Sequence, residues 1–359
     1  MNVARGARFQ NPVCVVLAVL LFCGRPMRAH VSSQDAAALP IYRELTDETG
    51  RTVRVPQPVR RIVSLAPSLT ETIYALGLQE RLVGDTDFCD YPPDAQRKTK
   101  VGGAINPSLE KIATLRPDLV LVTKALNRLE TVRSLEALGI ASYATDPHSV
   151  AEILSSTQRL ADALGARELG ASVVEDLKHR LAELQERLRA LPPRRVLFVV
   201  WTEPLISIGK DTFIADALRQ AGAVSIVEST QSWPQVNLEE IVRLQPEFLV
   251  FANAHLESTS RDFDAIAGLP GWRLLEAVRN RRYAIVNEAV NRPAPRIITA
   301  IEDLARQLHP DAFVEPPNIK RENGQDHSPV SRQLPHDSAR ALQFAGGDAG
   351  GQEHCLCAR

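Results

Sequence analysis

The residues best able to do chemistry in this chain are aromatic. Phe88, Tyr91, Trp201 and Trp233 stand in loops that follow apolar runs, although aromatics make up only 5% of the sequence. Flat faces flanking a cleft suit a large planar or partly apolar ligand, with a few polar groups fixing its orientation. The competing role for each is packing in a core or loop. Tyr91, beside Pro92 and Pro93, reads either way, while Trp201 and Trp233 read as cleft walls. Ser68, in the turn after the apolar run 62–66, is a polar candidate at the same level. Arg292 precedes Pro293 in another such loop, where a guanidinium could pair with a ligand carboxylate or phosphate, or be a solvated loop charge.

Metal and catalytic signals are weak by comparison. His148 and His255 each follow a predicted strand, one in each half, so both could face a cleft. A free-ion site usually needs three or four protein ligands, and no third is evident, so capping or loop hydrogen bonding is the safer role for both. His354-Cys355-Leu356-Cys357 could be a metal tract, but a single Cys-X-Cys in a polar tail is read as chance. The five cysteines (Cys14, Cys23, Cys89, Cys355 and Cys357) form no disulfide framework. Nucleotide-binding, nucleophile-elbow and zinc-protease patterns are absent. Ser64, Ser68 and Glu71 are close in sequence, and a helix start accounts for them. The absence of these patterns weakens an enzyme reading without deciding against it, and a binding protein with no resident cofactor is the expectation. An enzyme acting on a tetrapyrrole or metal cofactor is the alternative from another class.

Two carboxylates point to the underlying organisation. Residues 106–122 read NPSLEKIATLRPDLVLV and residues 235–251 read QVNLEEIVRLQPEFLVF, so Leu109 and Leu238 are separated by 129 residues. Each copy predicts a short helix, a Pro that stops it, an acidic residue, and a continuous apolar run typical of a buried parallel strand. Solenoid repeats have periods of about 20–50 residues, so this is one large unit used twice. Glu110 and Glu239 occupy the same first-turn position in the two copies, where a carboxylate interacts favourably with the helix dipole. Ser108 and Asn237 are the expected caps. Helix stability does not explain why both copies carry the acid. Two matched exposed carboxylates suit a two-fold partner offering Arg or Lys at each end.

Strands alternate with helices through both halves, which predicts parallel sheets covered on both faces. The first half offers strands at 62–66, 82–84, 119–123 and 141–145, with helices at 69–76 and 127–138. Residues 150–190 are helical with one break near Gly165, and 168–190 would span some 30 Å, the width of a small domain. The second half offers strands at 195–201, 248–251 and 283–286, with helices at 212–220, 271–278 and 295–308. Ligands in such sheets bind beyond the carboxyl ends of the strands. The loops carrying the aromatic residues, Ser68 and Arg292 all lie there.

The expected organisation is a signal peptide at 1–29, a lead-in with a short hairpin at 30–60, lobes at 61–148 and 192–310, a connecting helix at 149–191, and a disordered tail at 311–359. Arg5 and Arg8 precede an apolar stretch, 13–23, too short to span a bilayer, which reads as a secretory leader. Cleavage could follow Ala29, although Met27 fits that site poorly. A lipid-anchored start at Cys23 is the alternative, with Phe22 against it. A net charge of −1 gives no argument for nucleic acid or an anionic membrane.

Ser64-Leu65-Ala66-Pro67-Ser68-Leu69-Thr70-Glu71, Asp90-Tyr91-Pro92-Pro93, Asn106-Pro107-Ser108-Leu109-Glu110, Arg116-Pro117-Asp118-Leu119-Val120, Trp233-Pro234-Gln235-Val236 and Pro295-Arg296-Ile297-Ile298 resemble the iron-chelate/vitamin B12 family of periplasmic substrate-binding proteins. The resemblance runs from about residue 61 to about 310. It implies two Rossmann-like lobes with parallel sheets, joined by one long rigid helix, that hold a metal chelate between them with modest closure. It also implies that Glu110 and Glu239 engage arginines of an ABC importer permease dimer, which works with its ATPase. Phe88 matches a tyrosine of the family's cobalamin-binding members, Trp233 a tryptophan, and Arg292 a pocket arginine. Ala104 and Thr123 stand where those members have further tryptophans, and Trp201 replaces a glycine. The resemblance thus implies a monomeric exported binding protein for a corrinoid, with haem or an iron-siderophore as the alternative ligand. Contact with the membrane would come only through the permease or a lipid anchor.

Overall fold

A computed structural model describes residues 41–252 and 265–314. The expected leader, with Cys14 and Cys23, lies outside the described residues, as do His255 and the tail with Cys355 and Cys357. The described lobes and their bridge form one compact unit.

The lead-in is an antiparallel hairpin of β1 (Ile41–Thr46) and β2 (Thr52–Gln57). Asp47 shapes its turn by accepting from the Thr49 and Arg51 amides. Val53 and Val55 of β2 enter the core of the first lobe, so the hairpin is part of that lobe.

In the first lobe, β3 (Ile62–Ser64), β4 (Leu82–Gly84), β5 (Leu119–Thr123) and β6 (Ser142–Thr145) form a parallel sheet in the order β4-β3-β5-β6. Alternate residues serve opposite faces. Ile62, Leu119 and Leu121 meet Leu69 and Ile73 of α1 (Pro67–Ala75). Val63, Val120 and Val122 meet Ile112 of α2 (Leu109–Thr114) and Leu135 of α3 (Leu129–Ala137). With both faces covered, the strands read as unbroken apolar runs.

Two helices make the bridge. The long one, α5 (Arg167–Leu188, 22 residues), has α4 (Val150–Ala163) laid against it. Ile153 and Leu154 of α4 belong to the second lobe's core, whereas Leu160 and Ala161 belong to the first. Gly170 permits their close approach, since a Cβ there would lie 2.4 Å from that of Ala161. A pair of helices spanning both cores resists bending more than a single rod would.

The second lobe repeats the first. Its strand β7 (Arg194–Val199) ends earlier than predicted, and the chain turns into a hairpin, β8 (Trp201–Thr202) and β9 (Leu205–Ile206), where a loop was expected. After α6 (Phe213–Gln220) comes β10 (Ala223–Ser225), too short to show in the sequence pattern. Then follow α7 (Leu238–Leu244), β11 (Phe248–Ala252) and β12 (Tyr283–Val286), in the sheet order β10-β7-β11-β12. Numbered within each lobe, both sheets run 2-1-3-4. The predicted helix 271–278 is two short pieces, Trp272–Leu274 and Glu276–Arg279, and Ile297–Leu308 closes the lobe. The predicted tail starts too early. Pro310–Phe313 forms another turn, with Phe313 packed on the second core.

The duplication extends to fine detail. Arg116 and Gln245 occupy equivalent positions after α2 and α7, with φ of 45° and 46°. Arg61 just before β3 and Arg195 at the start of β7 donate to Leu115 O and Leu244 O at the helix ends. Asp118 and Glu247, the acids preceding β5 and β11, accept the Arg61 and Arg195 amides. The left-handed residue is supported differently in the two lobes. Gln245 bonds Val242 O and Leu274 O and accepts the Glu276 amide. Arg116→Gly should therefore raise stability by about 0.5–1 kcal/mol, because glycine relieves the left-handed strain at the cost of some entropy. Gln245→Gly should lower it, and thermal unfolding of the two variants will show the opposite signs.

Candidate functional site

The site is built on the loops beyond the carboxyl ends of the two sheets. Asn127 stitches this end of the first lobe together. Its carbonyl accepts the Thr123 amide, and its amide donates to Leu65 O and Ala104 O. That commitment moves the start of α3 past Asn127, where the sequence had placed it.

The loop after β4 carries Phe88 and Tyr91. Cys89 between them is buried, accepting from the Thr70 hydroxyl and lying 3.1 Å from the Thr86 hydroxyl. Burial pushes its thiol pKa up. Sinking Cys89 turns its neighbours outward, leaving Phe88 49% exposed. Lys100 fastens the loop from beneath. Its ammonium reaches Asp85 Oδ1 at 2.8 Å and the carbonyls of Thr86, Cys89 and Ala95 at 3.1–3.2 Å. Burial raises the Asp85 carboxyl to about 6 despite Lys100, and its second oxygen has no partner.

In the second lobe the β8–β9 hairpin presents Trp201, 48% exposed, opposite Ile206. Ile206 in turn bridges Gln235, two residues beyond Trp233. The Ser207 amide donates to Pro234 O, and that of Gly209 to Ser232 O. Gly209 permits this approach, since a Cβ there would lie 1.9 Å from Gln231 O. Both tryptophans are thus held in the open, whereas Trp272 is buried in the core.

Glu71, Asp90, Tyr91, Glu288, Arg292 and Arg296 join the lobes. Arg296 Nε and Nη2 grip the Glu71 carboxylate as a fork, at 2.8 and 2.7 Å. Arg292 Nη1 donates to Glu71 Oε1 at 2.8 Å and Asp90 Oδ1 at 2.7 Å, and its Nη2 lies 3.3 Å from Glu288. The Arg296 guanidinium lies 3.7 Å from the centroid of the Tyr91 ring. The Glu71 side chain is only 2% exposed. Burial alone would raise the Asp90 carboxyl, but the hydrogen bond and charge of Arg292 hold it below its ordinary value. The same partners lift the Arg292 guanidinium further, against the effect of burial.

Several sequence expectations change here. Arg292 is not a solvated loop charge; it is shared among three carboxylates. Glu71 does not belong to a helix start, since α1 begins at Pro67 without a side-chain cap or a first-turn acid. Ser68 lies in the first turn of α1, beyond the carboxyl end of β3, and is buried. His148 is exposed, 3.3 Å from Asp146, and among the described residues no set of three His, Cys, Asp or Glu is gathered to hold an ion. Sequence reasoning missed Asp90, Glu288 and Arg296 as partners of Arg292, although Asp90 and Arg296 sit in the motifs Asp90-Tyr91-Pro92-Pro93 and Pro295-Arg296-Ile297-Ile298. Glu110 and Glu239 are exposed at equivalent helix starts, capped by Ser108 and Asn237. Two surface hollows, of 770 and 400 Å³, lie along α4 and α5 and beside α6, and neither gathers the aromatic side chains.

A family model described as a periplasmic binding protein matches residues 62–289. The chain belongs to that family. It is 30% identical over 307 residues to an uncharacterized ABC transporter substrate-binding lipoprotein, YvrC, of Bacillus subtilis, covering 83% of this chain and 95% of that protein. It is 30% identical over 259 residues to a vitamin B12-binding protein of Vibrio cholerae, covering 70% of this chain and 90% of that one. Among solved structures, the periplasmic heme-binding protein RhuT from Roseiflexus sp. RS-1 aligns with a TM-score of 0.63 at 26% identity, over 71% of this chain and 99% of that one.

In this periplasmic binding protein the Asp85–Lys100 pair supports the aromatic loop, and its titration gives a test. The folded-state pKa of Asp85, about 6, exceeds its ordinary 3.8, so native protein holds that proton more tightly than the unfolded chain. The stability this contributes is complete below about pH 4 and is lost as pH rises through about 6. Relative to Asp85→Asn, the natural chain should lose stability from about pH 4 to 6 and then level off. Denaturant melts across that range measure it.

Proposed function

We propose that this chain captures a corrinoid, a cobalamin-like metal chelate, in the seam between its lobes and delivers it to the permease dimer and ATPase of an ABC importer. The substrate-binding role is that of its family. The observation supporting a large, partly apolar ligand is the exposure of Phe88, Trp201 and Trp233 on fastened loops, beside a core that does bury Trp272. Rigid aromatic faces left in water mark a binding surface. The vitamin B12-binding relative supports the corrinoid. The likeness to RhuT favours haem as the second reading.

Binding needs no chemical step. Contacts from a ligand to both lobes shift the population towards the closed form. The basic, apolar leader supports export, and the lipoprotein relative supports an anchor at Cys23 as its variant. Among the described residues no helix is long and apolar enough to cross a membrane. The protein acts as a monomer, and its exposed Glu110 and Glu239 are the docking residues for arginines of the permease.

Titration of the purified protein with cyanocobalamin should give saturable binding, weakened about tenfold or more by Trp233→Ala. Absence of binding to any metal chelate would remove the proposal. For docking, Glu110→Arg combined with Glu239→Arg should abolish uptake in a reconstituted importer while ligand affinity is retained. Lost affinity would assign the two residues another role.

A further inference from the structure

The charges at the seam do not balance. Arg292 and Arg296 supply two positive charges, and Glu71, Asp90 and Glu288 supply three negative ones, all within one connected network. The donor capacity of Arg296 is largely taken: Nε and Nη2 by Glu71, and Nη1 by Asn287 Oδ1 at 3.0 Å, with Tyr91 against its face. Arg292 is spread over three carboxylates. Lys124, which follows β5, is paired with Asp146 at 2.6 Å. The negative partners are also the accessible ones. The Asp90 and Glu288 side chains are 48% and 32% exposed, against 15% and 14% for the two arginines.

We propose that Asp90 and Glu288, together with buried Glu71, are specificity-determining residues. By engaging both arginines they make the seam accept a macrocycle with a neutral, amide-bearing periphery and reject one carrying ionised carboxylates. An arginine fork is the protein group best matched to a carboxylate. Here the Arg296 fork is filled by Glu71 and Arg292 Nη1 is shared by Glu71 and Asp90, so an entering carboxylate meets a network of net charge −1 and competes with acids already paired to both guanidiniums. A primary amide has no such conflict, since its N–H groups can donate to the exposed Asp90 and Glu288 oxygens. A corrinoid bears amides around its ring and haem bears two propionates, so the network sorts the two ligand classes left open by the aromatic walls. The inference rests on the reading of the seam as a metal-chelate site.

The probes are haem and its bis-amide, the same ring with both propionates replaced by neutral amides, alongside cyanocobalamin. The full-length protein should bind the bis-amide about tenfold or more tightly than haem. Asp90→Asn with Glu288→Gln takes the network from −1 to +1 and should reverse or erase that ratio. Asp90→Asn alone, a half-exposed change that leaves Glu71 in place, should move it part of the way. The same two-charge change at Glu183 and Glu186, on the exposed side of α5, should leave the ratio where it is. Equal affinity for the charged and neutral rings in the unaltered protein, or a ratio unmoved by the double variant, overturns the inference while leaving chelate binding intact. Failure to bind all three compounds removes both it and the proposed function.

Discussion

The grip of Arg292 and Arg296 on Glu71 is the contact on which the seam depends. The direct hydrogen bonds joining described residues of the two lobes run through these three side chains and Asp90. Removing two guanidiniums and a carboxylate from water costs several kcal/mol per ion before pairing restores it. Such a network persists only where the surrounding structure holds its members in register. Here α4 and α5 do so by sharing core residues with both lobes. The bridge limits how the lobes can move, and the ion network sets where they meet.

The site exists because the two lobes are built alike. Each sheet runs 2-1-3-4, and each has its crevice beyond the carboxyl ends of its strands, where the strand order reverses. Arg292 and Arg296 of the second lobe meet Glu71 and Asp90 of the first, so the lobes touch through side chains far apart in sequence. The same duplication places Glu110 and Glu239 at matching helix starts. A carboxylate is favourable there through the helix dipole, so an exposed acid at that position carries no cost in fold stability.

Fixing the aromatic walls takes a different kind of interaction in each lobe. In the first, one lysine ammonium gathers an acid and three carbonyls beneath the loop. In the second, a two-residue hairpin and a glycine bring the Trp201 and Trp233 segments side by side. Loops held before a ligand arrives lose less freedom on binding, so more of the contact energy remains as affinity.

The sequence alone determined the alternation of strand and helix, the duplicated helix–strand unit with its caps and its acids, and the placement of Phe88, Tyr91 and Trp233 in loops. All of these are local signals, set by side-chain period, by proline and by capping chemistry within a few residues. What only the tertiary structure decided was which charges meet. Glu71 and Arg296 lie 225 residues apart, and neither has a periodic signature. The strand β10 and the hairpin carrying Trp201 were illegible for a related reason, since pieces of two or three residues are fixed by their neighbours in the sheet and not by any pattern of their own. An ion network has no period to read. It forms where the folded backbone brings opposite charges together away from water.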